Sequence, residues 1–140
     1  MENANSVEMD EKTPFLVIDL MEEQKTVSQK GGTMRLGAYE CELREGSIPA
    51  EAYGRSLVSE RHRHRYEFND KYREEFEKGG LECVGHNPAT KLVEVVEARD
   101  KRWFVGTQYH PEYQSTVLKP NPLFMSFIRA AIAYSEEKTS

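Results

Sequence analysis

The chain has 140 residues, 38% of them hydrophobic and 31% charged, which is enough for one domain of ordinary size with an adequate but not generous core. Its 24 acidic against 19 basic side chains give a net charge of −5, the wrong sign for nonspecific nucleic-acid binding, which needs a surplus of Lys and Arg. No apolar run approaches the roughly 20 residues of a membrane span, no leader is evident, and Cys41 and Cys83 are too few and too far apart for a disulfide framework or a C-x-x-C site, so a cytoplasmic domain without membrane or nucleic-acid partners is expected.

The opening "MENANSVEMDEKT" is polar and lacks a core face. "PFLVIDL" (14–20) is short, apolar and β-branched, as a buried strand would be. The polar stretch 21–30 ends at Gly31-Gly32. "TMRLGAYECEL" then alternates apolar and polar residues, with a slip near 37–40 that predicts a bulge. "EGSIPAEAYG" predicts a turn and a short helical turn. "LVSERHRHRYEFN" (57–69) alternates as one strand would. "DKYREEFEKGG" predicts a short helix capped by Asp70 and stopped by Gly79-Gly80, with Tyr72 and Phe76 on one face.

"LECVGHN", "KLVEVVEA" and "RWFVGTQYH" predict three neighbouring strands joined by short turns. The tail "NPLFMSFIRAAIAYSEEK" predicts the longest helix, capped by Asn121, opened by Pro122 and carrying a broad apolar stripe. The fold class expected is α/β with more strand than helix. A doubly wound sheet needs helices on both faces, and the cover for one face is missing.

Three stretches carry chemistry. His110 and Glu112 flank Pro111 at the end of a strand, where open α/β sheets place their ligands. On one side of an extended chain, Glu112 could orient an imidazole whose second nitrogen takes a proton from a thiol or hydroxyl; a surface His at a strand end is the plainer reading. In "ERHRHRYE" (60–67) an extended backbone sends Arg61, Arg63 and Arg65 one way and His62, His64 and Tyr66 the other. The arginines read as a carboxylate clamp or as a structural ion-pair network, and His62 with His64 as a weak metal pair. "GGTMRLG" (31–37) marks a tight turn or close approach but lacks the G-K-[ST] of a phosphate loop.

Taken together, "MENANSVE", "GGTMRLG", "ERHRHRYEFN", "FVGTQYHPEYQS" and "NPLF" resemble, in this order, the class I glutamine amidotransferase domain of the CTP synthase family, from Met1 to about Ala133. The resemblance implies a partial three-layer, flavodoxin-like domain, its strand-rich C-terminal portion, over residues 1–140. It also implies a Cys-His-Glu triad that hydrolyses glutamine through a thioester, releasing ammonia to a synthase domain that uses ATP and Mg to aminate UTP, with GTP as activator. On that resemblance His110 is the base and Glu112 its orienter, while Glu8 and Arg65 hold the glutamine amino and carboxylate groups.

The family's Gly-x-Cys-x-Gly elbow is absent from this sequence. Cys41, between Glu40 and Glu42, and Cys83, in a strand, read as structural thiols. The expectation is therefore a catalytically inactive fragment. Its nucleophile, first sheet strands and synthase domain would lie outside the chain, Met1 would be an internal methionine or a truncated start, and the tetramer of the family would form through the absent domain. An apolar face left uncovered would self-associate, and residues 22–30 are a candidate contact for the nucleotide activator. Two other readings compete: a non-catalytic amino-acid-binding or regulatory module of the same fold, and metal-dependent hydrolysis through His62, His64 and His110. No metal site is expected.

Overall fold

Residues 1–20 and 34–139 are described in a computed structural model; the activator-contact and Gly31-Gly32 expectations lie outside the described residues. Where β-branched and alternating residues run, the chain forms strands: β1 (Ala4–Ser6), β2 (Phe15–Leu20), β3 (Arg35–Leu43), β4 (Leu57–His64), β5 (Tyr66–Phe68), β6 (Leu81–His86), β7 (Val93–Ala98) and β8 (Val105–Thr107). The helices are α1 (Ile48–Tyr53), α2 (Arg73–Lys78) and α3 (Pro122–Thr139). β1, β2 and β5 make one sheet, and β4-β3-β6-β7-β8 make a second whose pairings are all antiparallel. The result is a mixed α/β, strand-rich fold.

Three local expectations change. β3 and β4 pair without any register shift from Arg35 opposite His64 to Glu42 opposite Leu57, so the slip near Gly37 is not a bulge; Gly37 absorbs it at φ +109°. The irregular ladder is β6–β7, at Cys83–Gly85 and Gly85–His86. There a Cβ on Gly85 would stand 2.7 Å from the Val95 side chain and 3.0 Å from Cys41 Sγ, so glycine permits the two strands to close. The helix at 70–78 is capped by Asn69, whose side chain accepts from the Lys71 amide at 3.2 Å. Asp70 instead pairs with Arg73. The stretch 57–69 is two strands that meet at a bend at Arg65.

Two apolar cores result. Cys41, Leu43, Val58, Val84, Val95, Tyr109 and Leu123 pack together beneath α1, and Phe68, Cys83 and Val93 form a smaller cluster with Ile18 and Phe76. α3 begins as expected, with the Asn121 side chain accepting from the Leu123 amide at 3.0 Å. Of its stripe Leu123 alone is buried, while Phe124, Phe127, Ile128 and Ile132 are exposed. The helix is tied back by Trp103 Nε1 to Ser126 Oγ at 2.9 Å and by Arg102 to Glu137 at 2.8 Å. The loop before it carries Val117 and Leu118, each 98% exposed. Among the described residues no helix is long and apolar enough to cross a membrane.

Candidate functional site

β8 delivers His110. The Gln108 amide donates to the Glu94 carbonyl at 2.8 Å, prolonging the β7–β8 ladder, and Tyr109 is 2% exposed in the main core. The His110 amide then donates to the Arg61 carbonyl at 2.8 Å, so the chain is fixed to β4 at this point. Pro111 opens a 3-10 turn, Pro111–Gln114, as its fixed φ and missing N–H allow. This turn, rather than a continued strand, brings the Glu112 carboxylate to His110, with Nδ1 and Oε1 2.7 Å apart.

A carboxylate only accepts, so Nδ1 carries the proton and Nε2 is left able to take one. Desolvation, the largest single effect, pushes the Glu112 carboxyl upward. The hydrogen bond from His110, the turn's own backbone hydrogen bond and the charge of the imidazole together outweigh it and hold the group below its usual range. Tyr113 stacks on the imidazole, with ring centres 4.9 Å apart and planes 12° off parallel.

His110 opens onto a cavity of about 480 Å³ whose wall also includes Glu8, Arg63, His64, Arg65 and Tyr66. Three elements meet there. Glu8 follows β1, where the Val7 amide bonds the Ile18 carbonyl at 2.9 Å, and Arg65 sits at the bend between β4 and β5. That bend ends the strict alternation of β4, so Arg65 joins His64 and Tyr66 at the wall. Arg61 is exposed, outside the cavity lining. One carboxylate, the two guanidinium groups of Arg63 and Arg65, and a basic nitrogen around one cavity suit a small zwitterion.

Neither cysteine lines this cavity. Burial, with Glu94 next in effect, pushes the Cys41 thiol up to about 12, and burial, helped by Glu77, takes Cys83 to about 11. For Cys41 the solvent-excluded core outweighs its sequence neighbour Glu42. Both remain protonated thiols at neutral pH, the form that neither attacks nor ligates.

Below the cavity, the inward face of β4 runs Val58, Glu60, His62, His64, changing from apolar to polar toward His110. His62 Nδ1 and His64 Nε2 are 2.7 Å apart, His62 Nε2 lies 3.6 Å from Glu94, and Arg35 contacts Glu94 at 2.6 Å. His62, His64 and Glu94 hold ligand atoms within 4.8 Å of one another. The imidazoles are at hydrogen-bonding distance from each other and a guanidinium sits on the carboxylate, while His62 Nε2 and both Glu94 oxygens are buried without a hydrogen-bond partner. Burial, then the positive charge of Arg35, pushes His62 down to about 3 and His64 down to about 4. Burial raises Glu94 to about 7 against the pull of Arg35.

Residues 6–130 match the family model of glutamine amidotransferase class-I. The chain belongs to the class-I glutamine amidotransferase family. CTP synthase of Porphyromonas gingivalis is 63% identical over 130 residues, which are 93% of this chain and 24% of that protein. CTP synthase of Bacteroides fragilis is 62% identical over the same shares. Among solved structures, the Trypanosoma brucei CTPS glutaminase domain with bound acivicin aligns with a TM-score of 0.85 at 36% identity, over 94% of this chain and 51% of that one. This amidotransferase chain thus spans about a quarter of the length of its curated relatives and about half of that solved domain. Its matches place it with the glutaminase domain of CTP synthases.

For this amidotransferase chain, sequence reasoning missed the residues behind the cavity. Arg35, Glu60 and Glu94 are buried or nearly so, and Gln114 and Tyr113 brace the His110 turn. The available signal was the pair of glutamates in "VEVVEA": three apart, Glu94 and Glu97 face opposite sides, and in a strand buried on both faces each demands partners.

Proposed function

We propose that residues 1–140 are the C-terminal portion of the amidotransferase domain of a CTP synthase, and that the His110 cavity is its glutamine site. In this reading His110 Nε2 takes the proton of a nucleophilic thiol, Glu112 holds the ring in the Nδ1–H tautomer, Glu8 receives the glutamine ammonium, and Arg65 receives its carboxylate. The observation that carries the reading is the meeting of Glu8, Arg65 and His110 on one cavity wall while Glu112 stands 2.7 Å from the imidazole. The thiol would be contributed by sequence outside the 140 residues, since both thiols of this chain are buried and protonated.

In the whole protein, ammonia released here would aminate UTP in a synthase domain that carries the ATP and Mg sites, under activation by GTP and within a homotetramer. The glutaminase relatives that match over nearly the whole chain support that assignment. A second reading, an amino-acid-binding module without catalysis, is favoured by the same lack of a reactive thiol at the cavity.

Glutamine titration followed by amide chemical shifts tests the shared part of both readings. Saturable binding is expected, weakened about tenfold or more in Arg65→Ala, since a charge-assisted contact contributes about 1.5–3 kcal/mol. Binding indifferent to Arg65 would overturn the site. Ammonia release by the 140 residues alone would overturn the expectation of inactivity. Restoration of hydrolysis on adding a polypeptide that carries the Gly-x-Cys-x-Gly elbow would decide for catalysis over mere binding.

A further inference from the structure

A 3-10 turn of four residues is a weak platform for a catalytic contact. Within the turn that holds Glu112, the Tyr113 amide bonds the His110 carbonyl at 3.1 Å and the Ser115 amide bonds the Glu112 carbonyl at 3.2 Å. What fixes the turn to the rest of the fold is Gln114. Its side-chain amide donates to the Ser59 carbonyl at 2.8 Å and to Glu60 Oε2 at 3.0 Å.

Glu60 is 4% exposed. Its other oxygen accepts from Tyr53 Oη at 2.8 Å and from Asn121 Nδ2 at 3.1 Å. The Asn121 amide in turn donates to Ser115 Oγ at 3.0 Å, just beyond the turn. One buried carboxylate therefore gathers neutral donors from α1, from the cap of α3 and from the end of the Glu112 turn. It does so one residue before Arg61, whose carbonyl holds the His110 amide.

We infer that Glu60 and Gln114 are positioning residues for the His110–Glu112 pair: they clamp the 3-10 turn to β4 so that Oε1 stays on Nδ1 and the imidazole keeps one tautomer. The inference rests on the reading of Glu112 as orienter. A carboxylate is required at position 60 because all three groups around it donate. A glutamine there would turn an NH2 toward either the Gln114 amide or the Tyr53–Asn121 pair, leaving two donors face to face. Neither residue touches the cavity, so their effect reaches the site through Glu112.

The 15N shifts of the His110 ring in the 140-residue chain, taken where the imidazole is neutral, read the tautomer directly. The unmodified chain is expected to show Nδ1 protonated and Nε2 bare. Gln114→Ala removes an exposed side chain with little risk to folding. It should move both shifts toward the Nε2–H form that an unrestrained imidazole prefers, with amide shifts unchanged outside the 108–116 segment and the 59–61 stretch that Gln114 contacts. Glu60→Gln should do the same; if it fails to fold, Gln114→Ala decides alone.

Persistence of the Nδ1–H form in Gln114→Ala, with loss of that form in Glu112→Ala, overturns the clamp and leaves Glu112 as orienter. Persistence in Glu112→Ala as well removes the orienter itself, and the clamp with it.

Discussion

At the end of β8, His110 and Glu112 meet at 2.7 Å with 35% and 55% of their side chains exposed; beneath β3 and β4, His62 and Glu94 lie 3.6 Å apart with neither exposed. The chemical parts are the same. In the first grouping water screens the pair and can exchange protons with it, so the contact costs the fold little and can be used chemically. In the second, desolvation controls the outcome: the imidazole is driven toward its neutral form, and the carboxylate is tolerable only because Arg35 sits on it. A histidine beside a carboxylate is open to solvent and to a reacting group in one place, as the proposed role of His110 requires, and a structural element in the other, and burial makes the difference.

The largest test removes the cation from the buried group. Arg35→Leu leaves Glu94 without its partner in the interior, and a loss of about 3–5 kcal/mol is expected in urea unfolding. A change below about 1 kcal/mol would mean that water reaches the cluster and that the two sites are not opposites after all.

Acid titration gives a smaller effect with a definite sign. His62 and His64 sit below their ordinary 6.5, so as pH falls through 6.5 the unfolded chain binds two protons that the folded chain refuses until about pH 4 and 3, and stability is lost. Glu94 sits above its ordinary 4.5, at about 7, so between these values the folded chain holds one proton that the unfolded chain does not, and stability is gained on acidification. Among these three groups the net from pH 6.5 to 4.5 is two minus one, a loss of about 1.4 kcal/mol per pH unit, and His86, also lowered by burial, adds to it in the same direction. Glu94→Gln removes the offset, and the slope should steepen by about 1.4 kcal/mol per pH unit. An unchanged slope would show that Glu94 is ionised throughout this range.

The exposed grouping should be energetically almost silent. Glu112→Ala is expected to alter unfolding stability by no more than about 0.5 kcal/mol, and a larger loss would show that the contact holds the fold together. Cys41 and Cys83 complete the contrast. With thiols raised by burial, both should resist alkylation at mildly alkaline pH in the folded chain and react fully in urea. Fast labelling of either in the native state would reopen the search for a nucleophile.

How far the sequence foretold this difference can be argued residue by residue. The strands, the long helix with its Asn121 cap, and the closeness of His110 to Glu112 follow from local pattern: alternation, capping chemistry, and a proline that limits its neighbours. The means of that closeness did not follow, because Pro111 permits both an extended chain and a 3-10 start, and the bonds of Gln114 to β4 select the turn. The polar face of β4 was legible as alternation in "ERHRHRYE", but not that Arg65 would reach the cavity beside Arg63. That depended on the strand ending at Arg65, a tertiary outcome. Glu94 and Glu60 were the least legible of all. In sequence they are two glutamates among 24 acidic residues, and only their partners, 59 and 54 positions away in Arg35 and Gln114, justify placing them inside.

The loop bearing Val117 and Leu118 has a consequence for how the polypeptide can be divided. A protease that accepts large apolar residues finds both side chains fully presented, and a cut there leaves α3 as a separate peptide. That peptide still carries Asn121 bonded to Glu60, Ser126 bonded to Trp103 and Glu137 paired with Arg102, together with Leu123 in the main core. These contacts cross the loop without using its backbone, so the nicked protein is expected to migrate as two pieces under denaturing conditions and as one without them; loss of the helix under native conditions would show that the loop itself holds it.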